Sequence, residues 1–309
     1  MIRRVLVTGA GGFVGRSILR PLLRRGFEVH AVARRLPAPG GGEVSTDGVR
    51  WHAADLLDPA QRRTLLAAAD ASHLLHLAWH ADPGTLWTAR ENAAWMIATV
   101  GLLDEFATAG GARAVLAGTC AEYDWSAGGR LREDAPAEPA TFYGICKDAT
   151  RRVAEGLGER ASIEVAWGRI FFLYGPAEYG GRLVASVASA LVAGERAATS
   201  AATQVRDFLH VDDVAGALAA ILDSDVRGPV NVGSGEGVAV RHIVDLVARA
   251  AGRPDLLDVG ALPSRPRDPA ELVADVMRLR EEVGFVPEIG LEEGIAATVA
   301  WWRERSRAP

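Results

Sequence analysis

A run of glycines set between a strand and a helix constrains this chain more than any other stretch. Arg3-Arg4-Val5-Leu6-Val7-Thr8 has the apolar, β-branched character of a short strand. Gly9-Ala10-Gly11-Gly12-Phe13-Val14-Gly15 leads straight from it into an apolar helical pattern at Val14, Ile18 and Leu22. Glycines permit φ > 0 and let a backbone approach a pyrophosphate closely, while the free N–H groups and dipole of a helix start favour negative charge. Gly9, Gly11, Gly12, Phe13, Val14 and Gly15 therefore outline a dinucleotide cradle. Any tight strand-to-helix turn uses glycine; the flanking strand and helix are what favour the cradle.

The alternation continues through the first half of the chain. Residues 28–33, 49–53, 73–77, 114–117 and 163–167 read as further strands. Asp58 followed by Pro59 is a cap with proline at the first helical position, starting a helix to about residue 69. Residues 87–109 and 141–160 are helical patterns as well. This order predicts an α/β fold, a doubly wound parallel sheet of Rossmann type with right-handed crossovers, over residues 1–170.

Beyond Gly168 the rhythm breaks. Residues 171–210 are loop-rich with one helical piece near 183–192, and Asp212 or Asp213 starts a helix to about residue 222. A short strand at 230–232 and helices at 240–251, 275–283 and 291–302 follow. Residues 171–309 are thus expected to form mostly a smaller C-terminal α+β substrate-binding lobe, with 212–232 returning to the first domain. The Pro/Gly-rich stretch 37–42 reads as a surface loop.

A formal net charge of −5 with scattered arginines excludes a nucleic-acid footprint. Cys120 and Cys146 make neither a disulfide framework nor a metal-ligand pattern and fit a reducing compartment. The first apolar run breaks at the glycines too soon for a signal peptide or membrane span, so no membrane contact and a cytoplasmic location are expected. His73, His76 and His80 suggest no metal, because strand residues three apart face opposite ways and no acidic ligand is near.

Of the 34 basic residues only Lys147 is a lysine, so it marks a place where a guanidinium fails. It stands four after Tyr143 on a predicted helix, hence on the same face. An ammonium beside a phenol favours the phenolate and makes it a general acid/base near neutral pH. With four tyrosines in 309 residues, the pairing arises by chance about one time in a hundred. We read it as catalytic.

Taken together, Thr8-Gly9-Ala10-Gly11-Gly12-Phe13-Val14-Gly15, Asp55-Leu56-Leu57-Asp58, His76-Leu77-Ala78, Thr119, Tyr143 with Lys147, and Arg206-Asp207-Phe208-Leu209-His210-Val211-Asp212-Asp213 occur in a familiar order and spacing. The chain resembles, over essentially its whole length, the extended short-chain dehydrogenase/reductases, and within them the nucleotide-sugar epimerases, dehydratases and ketoreductases. The resemblance implies that Tyr143 exchanges a proton with the sugar oxygen, that Thr119 hydrogen-bonds the same oxygen and that Lys147 also holds the nicotinamide ribose. It implies that Asp55 bonds the adenine amine with Leu56 on the ring, that Ala78 lines the cofactor, and that Arg206 and Arg265 grip the substrate pyrophosphate. A homodimer through the helices at 87–109 and 141–160 is implied too.

Three departures from that pattern narrow the expectation. The dehydratases resemble Thr-Asp-Glu at the catalytic threonine, whereas this chain has Thr119-Cys120-Ala121, without the acids that eliminate water. The second strand ends in Ala33-Arg34-Arg35 rather than an acid, and Arg34 resembles the arginine that pairs with the 2′-phosphate of NADP(H). Phe172 replaces the asparagine that contacts the substrate's phosphate. Cys120, beside Thr119, places a thiol near the sugar, although a small buried apolar residue is its commoner fate. The expectation is an NADP(H)-dependent reductase of a nucleotide-linked 4-keto-6-deoxy sugar. An NAD(H)-dependent nucleotide-sugar 4-epimerase is the alternative, and a non-catalytic dinucleotide sensor a distant third.

Overall fold

The computed structural model describes residues 3–36, 47–126, 128–263 and 268–307. Its strands in chain order are β1 (Arg4–Thr8), β2 (Glu28–Ala33), β3 (Val49–Ala53), β4 (His73–His76), β5 (Arg113–Thr119), β6 (Gly129–Leu131), β7 (Glu164–Ile170), β8 (Phe172–Tyr174), β9 (Ala197–Thr199), β10 (Val205–His210), β11 (Gly228–Val232), β12 (Gly237–Ala239), β13 (Leu257–Val259) and β14 (Glu271–Ala274). The α-helices are α1 (Phe13–Arg24), α2 (Pro59–Ala69), α3 (Glu91–Thr108), α4 (Phe142–Ala161), α5 (Leu183–Val192), α6 (Val211–Asp223), α7 (Val240–Ala251) and α8 (Leu291–Arg307).

Alternating side chains of β1 explain the layering. Val5 and Val7 face a core shared with Leu19 and Leu22 of α1 and Leu218 and Ile221 of α6. Leu6 faces the opposite core, with Leu102 and Phe106 of α3 and Ala154 of α4. Helices thus cover both faces of a seven-stranded parallel sheet of order β11-β7-β5-β4-β1-β2-β3. The chain steps from β1 to β2 on one side and later to β4 on the other. The crevice between the carboxyl ends of β1 and β4 is the switch point where such sheets bind ligands.

The helix from Pro59 is capped as expected, with Asp58 accepting from the Ala60 and Gln61 N–H groups. The expected helix at 87–109 starts only at Glu91, because residues 82–89 close as successive turns and the buried Asn92 side chain donates to the Leu86 and Ala89 carbonyls. The expected helix at 275–283 is shortened to a single π turn, Arg278–Glu282, and a strand that was not expected, β14, precedes it. Leu272, Val273 and Ala274 are all buried between β10 and β6, and pairing with those strands is what makes so short a run a strand. Helix α6 is capped by His210, whose Nδ1 accepts from the Asp212 N–H, while Asp213 accepts from the Glu288 and Ile289 N–H groups.

Beyond Gly168, α6 packs on α1 and β11 pairs with β7 in the main sheet. A second sheet runs β12-β10-β14-β6, with β8 also on β10. Its strand β6 comes from residues 129–131, on the near side of the expected boundary at 170. A three-residue strand is too short to leave a periodic signal. The loop expected at 37–42 lies outside the described residues.

Candidate active site

The glycine turn joins β1 to α1 at the switch point. Gly9 has φ +69°, and a Cβ there would stand 2.8 Å from the Ala78 nitrogen. Only glycine meets both demands. A Cβ on Gly15 would stand 2.0 Å from the Gly9 carbonyl, so α1 leans directly on the turn. Gly11 and Gly12 are exposed, and no side chain caps α1 at Gly12, which leaves the amides of the Phe13–Val14 turn for an anion. This cradle fits a dinucleotide pyrophosphate. Beneath it Thr8 Oγ1 accepts from the Leu77 and Ala78 N–H groups and bonds His76 Nδ1 at 2.8 Å, tying β1 to β4.

The three histidines weighed as ligands are engaged singly. His76 bonds Thr8 and Thr99, His73 bonds Ser72, and His80 bonds Thr85. Burial and the Lys147 ammonium pull His76 down to about 3 from 6.5. A base held neutral in the fold protonates on unfolding, so its contribution is complete above pH 6.5 and is lost as pH falls towards 3. Between pH 6.5 and 5 the chain should lose about 1.4 kcal/mol per pH unit through this residue. Urea unfolding of the wild type and of His76→Gln should show that slope only in the former.

Elsewhere in the cofactor region, Arg34 is exposed just past β2 and has no ion-pair partner among the described residues. Asp55 Oδ1 accepts from the Leu57 N–H at 3.0 Å. Leu56 is buried in the core beside α2, while Leu57 is the exposed neighbour.

Thr119 ends β5 and caps the 3₁₀ turn Cys120–Glu122. Helix α4 begins against that turn: Thr141 accepts from the Gly144 N–H, and a Cβ on Gly144 would stand 2.2 Å from the Ala121 carbonyl. This close approach brings Tyr143 to Thr119. Burial pushes the Tyr143 phenol above its ordinary range; a hydrogen bond with Thr119 opposes this and Glu122 adds to it. The phenol was expected to be pulled down by Lys147, and here burial wins instead. Lys147, 4% exposed, donates from Nζ to the Ala117 carbonyl at 2.8 Å and stands 3.8 Å above the Trp79 ring. Burial pulls its ammonium well below the usual lysine range, against the attraction of Glu122.

Two tryptophans absent from the sequence reading pack on Tyr143, and a third stands behind one of them. Trp87 meets Tyr143 edge-on at 5.9 Å, Trp79 at 6.5 Å, and Trp125 meets Trp87 at 6.0 Å. The only sequence signal was their place within a few residues of Ala78, Thr119 and the start of α3. Cys120 is buried, and its thiol is pushed up to about 12 by burial and by Glu122, so it stays protonated.

On the second sheet, Arg206 is buried and occupied. Its Nη2 donates to Asp268 Oδ1 at 2.6 Å, and its guanidinium carbon stands 5.5 Å from the Phe172 ring centre. Gln204 donates to the other Asp268 oxygen. Arg265 lies outside the described residues. Thr119, Cys120, Tyr143 and Lys147 are therefore brought together, and Arg206, packed with Phe172 beside Asp268, is near enough for its charge to act on the Cys120 thiol.

The family model described as the NAD dependent epimerase/dehydratase family matches residues 5–233. The chain belongs to this family. This epimerase/dehydratase-family chain, of the extended short-chain dehydrogenase/reductase type, is 29% identical over 316 residues to dTDP-glucose 4,6-dehydratase of Streptomyces griseus, covering 98% of this chain and 95% of that one. It is 30% identical over 322 residues to dTDP-6-deoxy-L-talose 4-dehydrogenase (NAD(P)(+)) of Kitasatospora kifunensis, covering 99% and 96%. The crystal structure of UDP-glucose 4-epimerase from Thermus thermophilus in complex with NAD matches it with a TM-score of 0.85 at 28% identity, covering 97% of this chain and 99% of that one. The chain is thus an NAD(P)-dependent enzyme of the nucleotide-sugar branch. No helix among the described residues is long and apolar enough to cross a membrane.

Proposed function

We propose that this enzyme interconverts the 4-ketone and 4-hydroxyl of a nucleotide-linked 6-deoxy sugar, working as a reductase with NADP(H). The observation that carries the reading is a half-buried Tyr143 held against Thr119 and one helical turn from Lys147, with no carboxylate at positions 120 and 121. Dehydration needs an acid and a base at the sugar ring, and Cys120 and Ala121 offer neither. Similarity to the talose 4-dehydrogenase supports the same assignment. Two-electron transfer at the sugar carbon is the chemistry a bound nicotinamide dinucleotide supplies. Tyr143 gives its proton to the oxygen as negative charge develops there, Thr119 orients that oxygen, and the Lys147 ammonium stabilises the phenolate left behind. The tryptophans around Tyr143 exclude water and suit an apolar methyl better than a hydroxymethyl group. Steady loss of reduced cofactor on mixing with a dTDP-linked 4-keto-6-deoxy sugar tests the assignment. NAD that co-purifies and does not exchange would make the enzyme an epimerase instead.

Arg34 carries the cofactor preference. Arg34→Glu should weaken NADPH binding about 10- to 100-fold, the loss of one charge-assisted contact to a phosphate, and leave NADH unaffected. Isothermal titration with both cofactors reads this directly, and an equal loss for the two would assign Arg34 another role.

The partner we infer is a second copy of the chain. Ile97 on α3 is 68% exposed, and Ile145 and Val153 on the adjacent α4 are exposed as well, an apolar face that pairing would cover. Light scattering should give a dimer for the wild type and a monomer for Ile97→Arg.

A further inference from the structure

Directly behind the reacting groups lies a carboxylate that their chemistry does not touch. Glu122 closes the turn after Thr119 and is 0% exposed. Its Oε1 accepts from the Thr119 N–H at 2.8 Å and from Trp167 Nε1 at 2.9 Å, and its Oε2 accepts from Arg169 Nε at 2.8 Å. Gly118 makes the room, since a Cβ there would stand 2.0 Å from Trp167 Nε1 and 2.7 Å from Glu122 Oε1. The Trp167 indole thus reaches Glu122 through its N–H while its ring centre lies 5.9 Å from Lys147 Nζ.

We propose that Glu122 is a positioning residue for the reaction, acting on Thr119 through the backbone N–H and on Lys147 as the buried counter-charge across the Trp167 indole. This rests on Tyr143 and Lys147 being the reacting pair. The groups facing Lys147 single Glu122 out. From β4 comes His76, which burial keeps neutral. From α4 itself comes Tyr143, held protonated, and the neighbouring Asp148 is turned to Arg151 and Arg152. From β7 comes Arg169, whose charge is spent on Glu122. Trp79 offers only a ring face. Glu122 is the negative charge among them, and it opposes the discharge that burial imposes on the ammonium. An ammonium that loses its proton no longer stabilises the Tyr143 phenolate, so Glu122 sets the alkaline limit of activity.

Lys147 is the chain's only lysine, so isotope-labelled lysine gives one side-chain signal whose NMR titration reads this site alone, without substrate or cofactor. Glu122→Gln should move that titration to lower pH by about one to three units, and the alkaline limb of the pH–rate profile should move with it. Glu122→Asp, which keeps the charge, should restore most of both. Because Glu122→Gln leaves Arg169 unpaired, Glu122→Gln with Arg169→Gln gives a neutral pair as a second variant, and its titration should also fall, by less. A titration unchanged or raised in either variant overturns the proposal, whatever becomes of activity. Failure of ketosugars to turn over would instead count against the reductase assignment and leave the lysine titration to be judged separately.

Discussion

Tyr143→Phe should yield a folded enzyme whose kcat is lower by about 10²- to 10⁴-fold, the usual worth of a positioned general acid. The substitution removes one oxygen and keeps the ring. Trp87 and Trp79 contact that ring edge-on, so the wall of the site stays in place and KM should change little. The burial that pushes the phenol above its ordinary range keeps it protonated through neutral pH, and a protonated phenol is what carbonyl reduction requires. In the oxidative direction the same group must first lose its proton, so that rate should rise with pH where the reductive rate does not. Steady-state kinetics in both directions, with cofactor binding measured alongside, check the argument. A kcat within about threefold of wild type would remove Tyr143 from the chemistry.

Arg169→Met should destabilise the fold by about 3–5 kcal/mol, the cost of stranding one member of a buried ion pair. The Arg169 guanidinium is 2% exposed, donates to Glu122 Oε2 and to the Glu133 carbonyl, and stands 4.3 Å from the Tyr123 ring centre. Without it, a carboxylate with no access to water keeps only the Thr119 and Trp167 donors. The control is Arg152→Met, whose head group is exposed while it bridges Asp148 and should cost less than about 1 kcal/mol. Urea unfolding of the two variants decides the matter. Equal losses would mean that the buried pair contributes no more than the surface one.

Much of the fold is legible because its signals are local. The glycines at 9, 12 and 15 are forced by the turn they make, Asp58 caps the helix it was expected to cap, and the main-sheet strands announce themselves as apolar β-branched runs. The errors fall where a longer-range contact outweighs local preference. β14 went unread because a four-residue run becomes a strand only through pairing with β10 and β6, and α3 starts late because Asn92 holds the preceding turns. Arg206 was legible as an arginine near the substrate lobe, but its partner Asp268, 62 residues away, was not.

What the sequence by itself determined is the cradle, the layered sheet and the Tyr143–Lys147 pair, each written in the spacing of neighbours along one strand, turn or helix. What the tertiary structure decided is the environment of that pair. Glu122 meets Trp167 and Arg169 across 45 and 47 residues, and Trp79 and Trp87 meet Tyr143 with Trp125 behind Trp87. Those contacts exist only after β5 and β7 lie side by side, and they set the burial on which the ionisation of Tyr143 and Lys147 depends. Spacing can place a phenol next to an amine; the dielectric around them belongs to the folded chain.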